Sequence, residues 1–262
     1  MKREHGMAYV MLGRTEKLED IFISGKIDFD GISCSKFALD ECARLLKIFQ
    51  EKQNDQMKEV SEYKTISYLN IRSLRNKIFE VTKTSTLMQS NILGLGETWL
   101  EPVETVQLDG YQSFFANYGR GKGVAVYSKE NTVCEPQVIA NDSLSMIIFT
   151  HHDIVAVFLY RSQNCDEYQL CLALENIIVE NVPIVIMGDV NIDAQQESVL
   201  TTYLSGKGFA QQIQKPTCDT GSILDHVYVN KEMKVFPLKI KQRSVYYSDH
   251  DIISLHIKNN KS

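Results

Sequence analysis

The chain has 262 residues, 44% of them hydrophobic and 23% charged, with a formal net charge of −5. That is enough for one large globular domain plus an appendage, and it excludes a polycation that grips nucleic acid through bulk charge. No run approaches the roughly 18 apolar residues of a membrane span, and the opening MKREHGMAYVMLGRTEKLED is too broken by Gly13 and Arg14 for a signal peptide.

In chain order, Leu39, Cys42, Leu45, Leu46 and Phe49 recur at near-helical spacing, and a polar stretch over 51–63 reads as a linker. Beyond it the pattern alternates. TISYLNI (65–71) reads as a strand, followed by a helix on Leu74, Ile78, Val81 and Met88. NILGLGE (91–97) is a buried strand ending on Glu97. YQSFFANY (111–118) and GVAVYSK (123–129) flank GRGK as a hairpin, and SLSMIIFT (143–150) pairs with IVAVFLY (154–160) around a turn at His151–Asp153. Leu170, Cys171, Leu174, Ile177 and Ile178 form one helical face. The strand PIVIMGD, a helix around Val199–Leu204, and the strands SILDHVYVN and DIISLHI complete the chain. Many strands with few helices predict an α/β fold: a two-sheet β-sandwich flanked by helices, with a short N-terminal appendage.

The cysteines, six in all, form no C-x-x-C pair and read as reduced thiols of an intracellular protein rather than zinc ligands.

One event repeats along the chain: an apolar strand ends on a polar residue. Asn70, Glu97, Tyr160, Asp189 and Asn191 sit at such ends, Asp225 lies within SILD, and Ser248, Asp249 and His250 precede the last strand. Taken singly, each has a plain reading as a turn former, helix cap or core side chain. Gathered at one rim they make a hydrolytic centre. Asn70, Glu97 and Asp249 are hard oxygen donors suited to Mg²⁺, with Mn²⁺ as a substitute. Asp189 can take a proton from water, Asp225 can orient His250, and Asn191, Tyr160 and His250 can donate to phosphoryl oxygens. His226 and His256 read as ordinary hydrogen-bonded histidines. GRGKG (119–123) lacks the G-x-x-x-x-G-K-[ST] spacing and reads as a hairpin turn, with Arg120 and Lys122 available to a DNA backbone.

LNIRSLRNK (69–77), GLGETWL (94–100), GKGVAVYS (121–128), LYRSQN (159–164), MGDVNID (187–193), SILDHVYVN (222–230) and YYSDHDIISL (246–255) occur in the order seen in one family. Over residues 64–258 the chain resembles the endonuclease/exonuclease/phosphatase superfamily of deoxyribonuclease I and the apurinic/apyrimidinic endonucleases. The wording looks closest to the endonuclease domains of LINE and Helitron-type transposons. The resemblance implies the four-layer fold, with Asn70, Glu97 and Asp249 as metal ligands. Tyr160, Asp189 and Asn191 would act on phosphate and water, and Asp225 with His250 would form an acid–imidazole pair. It implies metal-dependent phosphodiester hydrolysis that leaves a 3′-hydroxyl, and leaves open whether Asp189 or His250 is the base. Many members carry a proline after the tyrosine; here the order is Arg161-Ser162-Gln163-Asn164. Arg161 reads as a rim salt bridge or a phosphate contact.

AYVMLGRTEKLEDIFI (8–23) and FDGISCSKFALDECARLL (29–46) resemble the C-terminus of superfamily-1 DNA helicases of the Helitron and telomere-helicase type, with Arg14 at the ATP-contacting arginine and Gly13 where a serine is usual. No Walker A motif accompanies it, so no helicase activity is expected. Residues 1–50 therefore read as a helicase fragment, 51–63 as linker and 64–258 as the nuclease domain. The chain is expected to be a piece of a larger transposon polyprotein. It is expected to nick DNA, to lie within the cell in the nucleus, and not to bind membrane. A phosphatase or phosphodiesterase of the same fold, or an inactive relic, is the alternative.

Overall fold

The computed structural model describes residues 63–129, 136–151 and 154–258. The expectations for residues 1–62, Arg14 among them, lie outside the described residues.

Two six-stranded mixed sheets make up the domain. The first contains β1 (Tyr63–Asn70), β2 (Ile92–Gly96), β3 (Gln112–Ala116), β4 (Val124–Ser128), β11 (Leu238–Arg243) and β12 (Ile252–Lys258), in the order β11-β12-β1-β2-β4-β3. The second contains β5 (Gln137–Ala140), β6 (Leu144–His151), β7 (Ile154–Arg161), β8 (Ile184–Asp189), β9 (Ala210–Gln211) and β10 (Asp225–Val229), in the order β5-β6-β7-β8-β10-β9. Each sheet has one parallel pair at its centre, β1 with β2 and β7 with β8. A parallel pair needs a crossover, and helices supply both. The first carries α1 (Leu74–Lys83) and α2 (Ser85–Met88), the second α3 (Glu167–Glu175). A further helix, α4 (Val199–Gly206), follows β8.

Period-two alternation sorts the side chains into layers. Along β1, Ile66 and Tyr68 enter the core between the sheets, where they meet Phe149, Phe158, Val185 and Met187. Leu69 and Ile71 point the other way, against Leu74, Val81 and Leu87 of α1 and α2. On the second sheet, Leu159, Ile184 and Ile186 pack under Leu170 and Leu174 of α3 and Leu200 and Leu204 of α4. The sandwich with outer helices is thus built by alternating strands, as the sequence predicts.

The single helix predicted from Leu74 to Met88 is two. Thr84 takes an extended conformation, φ −85° and ψ 100°, and its hydroxyl donates to Glu80 O at 2.8 Å. Strands β5, β9 and β11 lie outside the strands expected from the sequence. Of these, β11 alternates half-buried Leu238, Ile240 and Gln242 with exposed Lys239, Lys241 and Arg243.

Candidate active site

Register places the first three site residues. Tyr160 pairs with Asp189 across the parallel β7–β8 ladder, and Asp189 pairs with Asp225 across β8–β10. Residues in register share a face of the sheet. That face is the inner one, because Tyr160 belongs to the core between the sheets. On the opposite sheet Asn70 pairs with Gly96, so Glu97 follows at the same rim. Asn70 Nδ2 donates to Glu97 Oε1 and to Asp189 Oδ2, each at 2.8 Å. The carboxyl ends of both parallel pairs therefore meet.

The loop before β12 closes the group. Ser248 Oγ donates to Asn70 O at 2.6 Å, and His250 N–H donates to Ser248 Oγ at 3.2 Å. Thr217 Oγ1 accepts from the N–H groups of Leu224 and Asp225 at 3.1 Å, while Asp251 N–H donates to Thr217 O at 2.8 Å. One threonine thus ties the Asp225 strand to the His250 loop. The result is a 2.7 Å contact between His250 Nδ1 and Asp225 Oδ2, both buried.

Electrostatics separates the roles. Burial pushes the Asp189 carboxyl up to about 7, and the Asp225 charge adds to it; His250 and the donors from Asn191 and Asn70 oppose the rise. Burial alone would lower His250, but the hydrogen bond and charge of Asp225 prevail and hold the imidazole up at about 9. Burial also raises the Tyr160 phenol, helped by Glu97 and Asp189, so it stays a donor at neutral pH. Asn191 is held by its own N–H on Asp189 Oδ1 at 2.9 Å and by Nδ2 on Arg161 O at 2.7 Å. Asn191 and Glu97 both sit at left-handed φ, 49° and 47°. Non-glycine residues persist there only where their surroundings hold them, as they do at many functional sites.

Asp249 reaches the group through Arg72, whose Nη1 lies 2.5 Å from Asp249 Oδ2 and whose Nε lies 4.0 Å from Glu97 Oε2. Asn70 presents its N–H groups to the carboxylates, and its amide oxygen accepts the Arg72 N–H at 3.2 Å. Arg161 corrects the rim salt-bridge reading. It is buried, and its guanidinium donates to Val190 O at 2.9 Å, to Asn191 O and to Cys165 O. Held by these carbonyls it forms no rim salt bridge; it braces the Asn191 loop. Lys122 pairs with Asp142 and lies over the Tyr118 ring, and Arg120 lies over Trp99. His226 is a buried histidine hydrogen-bonded to Ile192 O, as expected. The described cysteines, Cys165, Cys171 and Cys218, are free thiols.

Three participants had no assigned role: Arg72, Trp99 and Thr217. Trp99 donates from its indole to Glu97 Oε2 at 3.0 Å. Its position two residues past Glu97, as the one tryptophan of the chain, is a usable signal. Arg72 and Thr217 act across 177 and eight residues respectively, and local pattern carries no trace of either contact.

Residues 43–250 match the Endonuclease/Exonuclease/phosphatase family. The chain belongs to that family. Similar solved structures include three nucleic-acid enzymes. The endonuclease domain of TRAS1, a telomere-specific non-LTR retrotransposon, is 13% identical with a TM-score of 0.57, covering 76% of this chain and 100% of its own. A 3′ phosphatase, NExo, from Neisseria, bound to product DNA hairpin, is 16% identical with a TM-score of 0.59, covering 75% and 100%. An AP endonuclease from Archaeoglobus fulgidus is 16% identical with a TM-score of 0.57, covering 73% and 98%. At these identities the likeness establishes the endonuclease/exonuclease/phosphatase fold. No curated protein matches the chain. Among the described residues, no helix is long and apolar enough to cross a membrane.

Proposed function

We propose that the chain is a divalent-metal-dependent phosphodiester hydrolase that nicks DNA. The observation carrying this reading is the single rim where Asn70 joins Glu97 to Asp189 and where Asp225 holds His250. Membership of the family and the nuclease and phosphatase neighbours support it.

The donors fit a hard cation. Asp225 Oδ1 and Asp249 Oδ1 are buried oxygens with no hydrogen-bond partner. Such atoms call for water or an ion. Glu97 and Asp249, with Asn70 beside them, are the proposed holders of Mg²⁺ or Mn²⁺. Asp189, Asp225 and His250 also bring ligand atoms within 4.8 Å of one another. His250 Nδ1 is already taken up by Asp225 Oδ2 there, which favours the Glu97 side. When bound, the ion supplies Lewis-acid stabilisation of charge on the phosphoryl group.

The chain supplies the rest. His250, protonated up to about pH 9, is a donor at neutral pH, which leaves Asp189, held up at about 7, as the base. A water oxygen bonds to phosphorus as its proton passes to Asp189. The P–O3′ bond breaks, its electron pair leaves with O3′, and O3′ takes a proton from solvent water to become the 3′-hydroxyl, with the phosphate left on the 5′ side. His250, Asn191 and Tyr160 donate to the phosphoryl oxygens as charge builds.

A mobile-element origin rests on the motif wording and on the likeness to the TRAS1 endonuclease domain. The division into a helicase fragment (1–50), linker (51–63) and nuclease domain (64–258), a polyprotein partner, and a nuclear location rest on the sequence motifs. The test is nicking of supercoiled plasmid with Mg²⁺ and with EDTA, alongside Asp189→Ala. Nicking that needs Mg²⁺ and fails in the variant supports the reading; plasmid left intact by the unaltered chain with Mg²⁺ refutes it. The 3′ phosphatase neighbour favours a second reading, a phosphatase, which phosphate release without nicking would identify.

A further inference from the structure

The turn carrying Glu97 is fastened to the hairpin between β3 and β4. Thr98 N–H donates to Gly123 O at 3.3 Å, Trp99 N–H to Lys122 O at 3.0 Å, and Gly119 N–H to Leu100 O at 2.9 Å. Trp99, like Glu97, has a left-handed φ, 57°. A Cβ on Gly123 would lie 2.3 Å from Thr98 Oγ1, so the two segments approach as closely as a glycine allows. On the far side, Asn117 Nδ2 donates to Glu101 O and Glu104 O at 3.2 and 2.7 Å. The hairpin and the Glu97 turn are one bonded unit.

Trp99 stands at its centre. The indole N–H donates to Glu97 Oε2 at 3.0 Å, while the guanidinium of exposed Arg120 lies 5.7 Å from the ring centroid. Beside it, Lys122 Nζ lies 5.1 Å from the ring of exposed Tyr118. Cations stacked on aromatic rings keep their charge at the surface. A stacked guanidinium also keeps in-plane N–H groups for a phosphate, in the geometry that fits it best.

We infer that Trp99 is a two-ended positioning residue: its N–H sets Glu97 for the metal, and its ring sets Arg120 for a backbone phosphate of the nucleic-acid strand being cut. The inference rests on the nuclease reading. One indole then fixes the separation between the cation-holding carboxylate and the phosphate grip.

The test uses the full chain with two probes, Mg²⁺ by calorimetry and a short fluorescein-labelled DNA duplex in EDTA by anisotropy. Trp99→Phe keeps a ring but loses the N–H, so its Mg²⁺ Kd rises about 10-fold while its duplex Kd stays within about twofold. Arg120→Gln does the reverse: the duplex Kd rises about 10-fold and the salt slope falls by about one, with Mg²⁺ binding unchanged. Trp99→Leu loses both. In the unaltered chain, Trp99 emission shifts on adding Mg²⁺ and on adding duplex. Trp99→Phe binding Mg²⁺ like the unaltered chain, or Arg120→Gln keeping its salt slope, overturns the inference. Arg120 is exposed, so its arm stays readable even where Trp99→Phe loosens the turn. Glu97→Gln binding Mg²⁺ like the unaltered chain instead removes the metal reading underneath, which the Arg120 arm does not address.

Discussion

Asn70 and Asp189 come from different sheets and share a 2.8 Å hydrogen bond, Nδ2 to Oδ2, while the same amide donates to Glu97. An uncharged donor here keeps two carboxylates close without a third charge. Asn70→Asp replaces both donations with like-charge repulsion. It should lose about 3 kcal/mol of stability at neutral pH, partly regained on acidification. Nicking should fall about 100-fold or more. Urea unfolding at two pH values and plasmid nicking check both. A variant as stable as the unaltered chain at neutral pH would show that the amide does not bridge the carboxylates.

Asp225 Oδ2 sits 2.7 Å from His250 Nδ1, and this contact sets the imidazole's charge. With folded His250 held at about 9, above its usual range, the pair stabilises the fold fully below about pH 6.5. That stability is lost as pH rises through about 9. Asp225→Asn leaves burial unopposed by the carboxylate, so the midpoint should drop well below 9. Titration of the imidazole signals by NMR in EDTA reads this directly, and nicking at neutral pH should fall about 100-fold or more as a charged donor is lost. An unmoved midpoint would place the source of the shift elsewhere.

Strand periodicity made the sandwich legible, and the strand ends made most of the site legible. Asn70, Glu97, Tyr160 and Asp189 stand out because a polar residue that closes an apolar strand breaks its own pattern, whereas Asp225 opens its strand. Helix continuity was over-read at Thr84, where a side chain bonding Glu80 O ends α1 without proline or glycine. Strand β11 is not legible in the sequence although LKIKQR alternates, because its lysine-rich face resembles a solvated loop. Arg161 departs from the rim salt-bridge reading for a chemical reason. A guanidinium in sequence suggests a surface charge, and only the fold reveals the carbonyls of Val190, Asn191 and Cys165 around it.

Gly96 precedes the candidate ligand Glu97, and a Cβ there would fall 1.9 Å from the Tyr68 hydroxyl. That hydroxyl donates to Leu159 O at 3.2 Å, across the core to the second sheet. Gly96→Ala must push a buried phenol off its acceptor or separate the strands. Overpacking of this kind costs about 1–3 kcal/mol, and the displaced Tyr68 lies directly under the rim. The variant should lower the urea midpoint, and the double variant Gly96→Ala/Tyr68→Phe should regain part of the loss by removing the oxygen that clashes. Failure of the second change to restore stability would put the strain in the backbone instead.

His226 gives a pH signature outside the proposed chemistry. It is buried; Nε2 lies 2.8 Å from Ile192 O and 3.1 Å from Ile223 O, and Nδ1 lies 3.1 Å from the Tyr228 hydroxyl. Two carbonyls require a proton on Nε2, and the phenol can donate to Nδ1, so the neutral ring satisfies every partner. Burial lowers its pKa despite the carbonyls, so the unfolded chain binds this proton more readily than the folded one. Stability from His226 is therefore present above about pH 6.5 and lost as pH falls below it. Asp189, raised to about 7, contributes the opposite slope over the same range, since its folded form holds a proton that the unfolded chain releases. The two separate in a difference experiment. Urea midpoints in EDTA from pH 7.5 down to 5, compared between the unaltered chain and His226→Gln, should converge as pH falls, because only the unaltered chain pays for charging a buried ring. A constant gap between the two curves would mean that His226 takes up its proton as easily folded as unfolded.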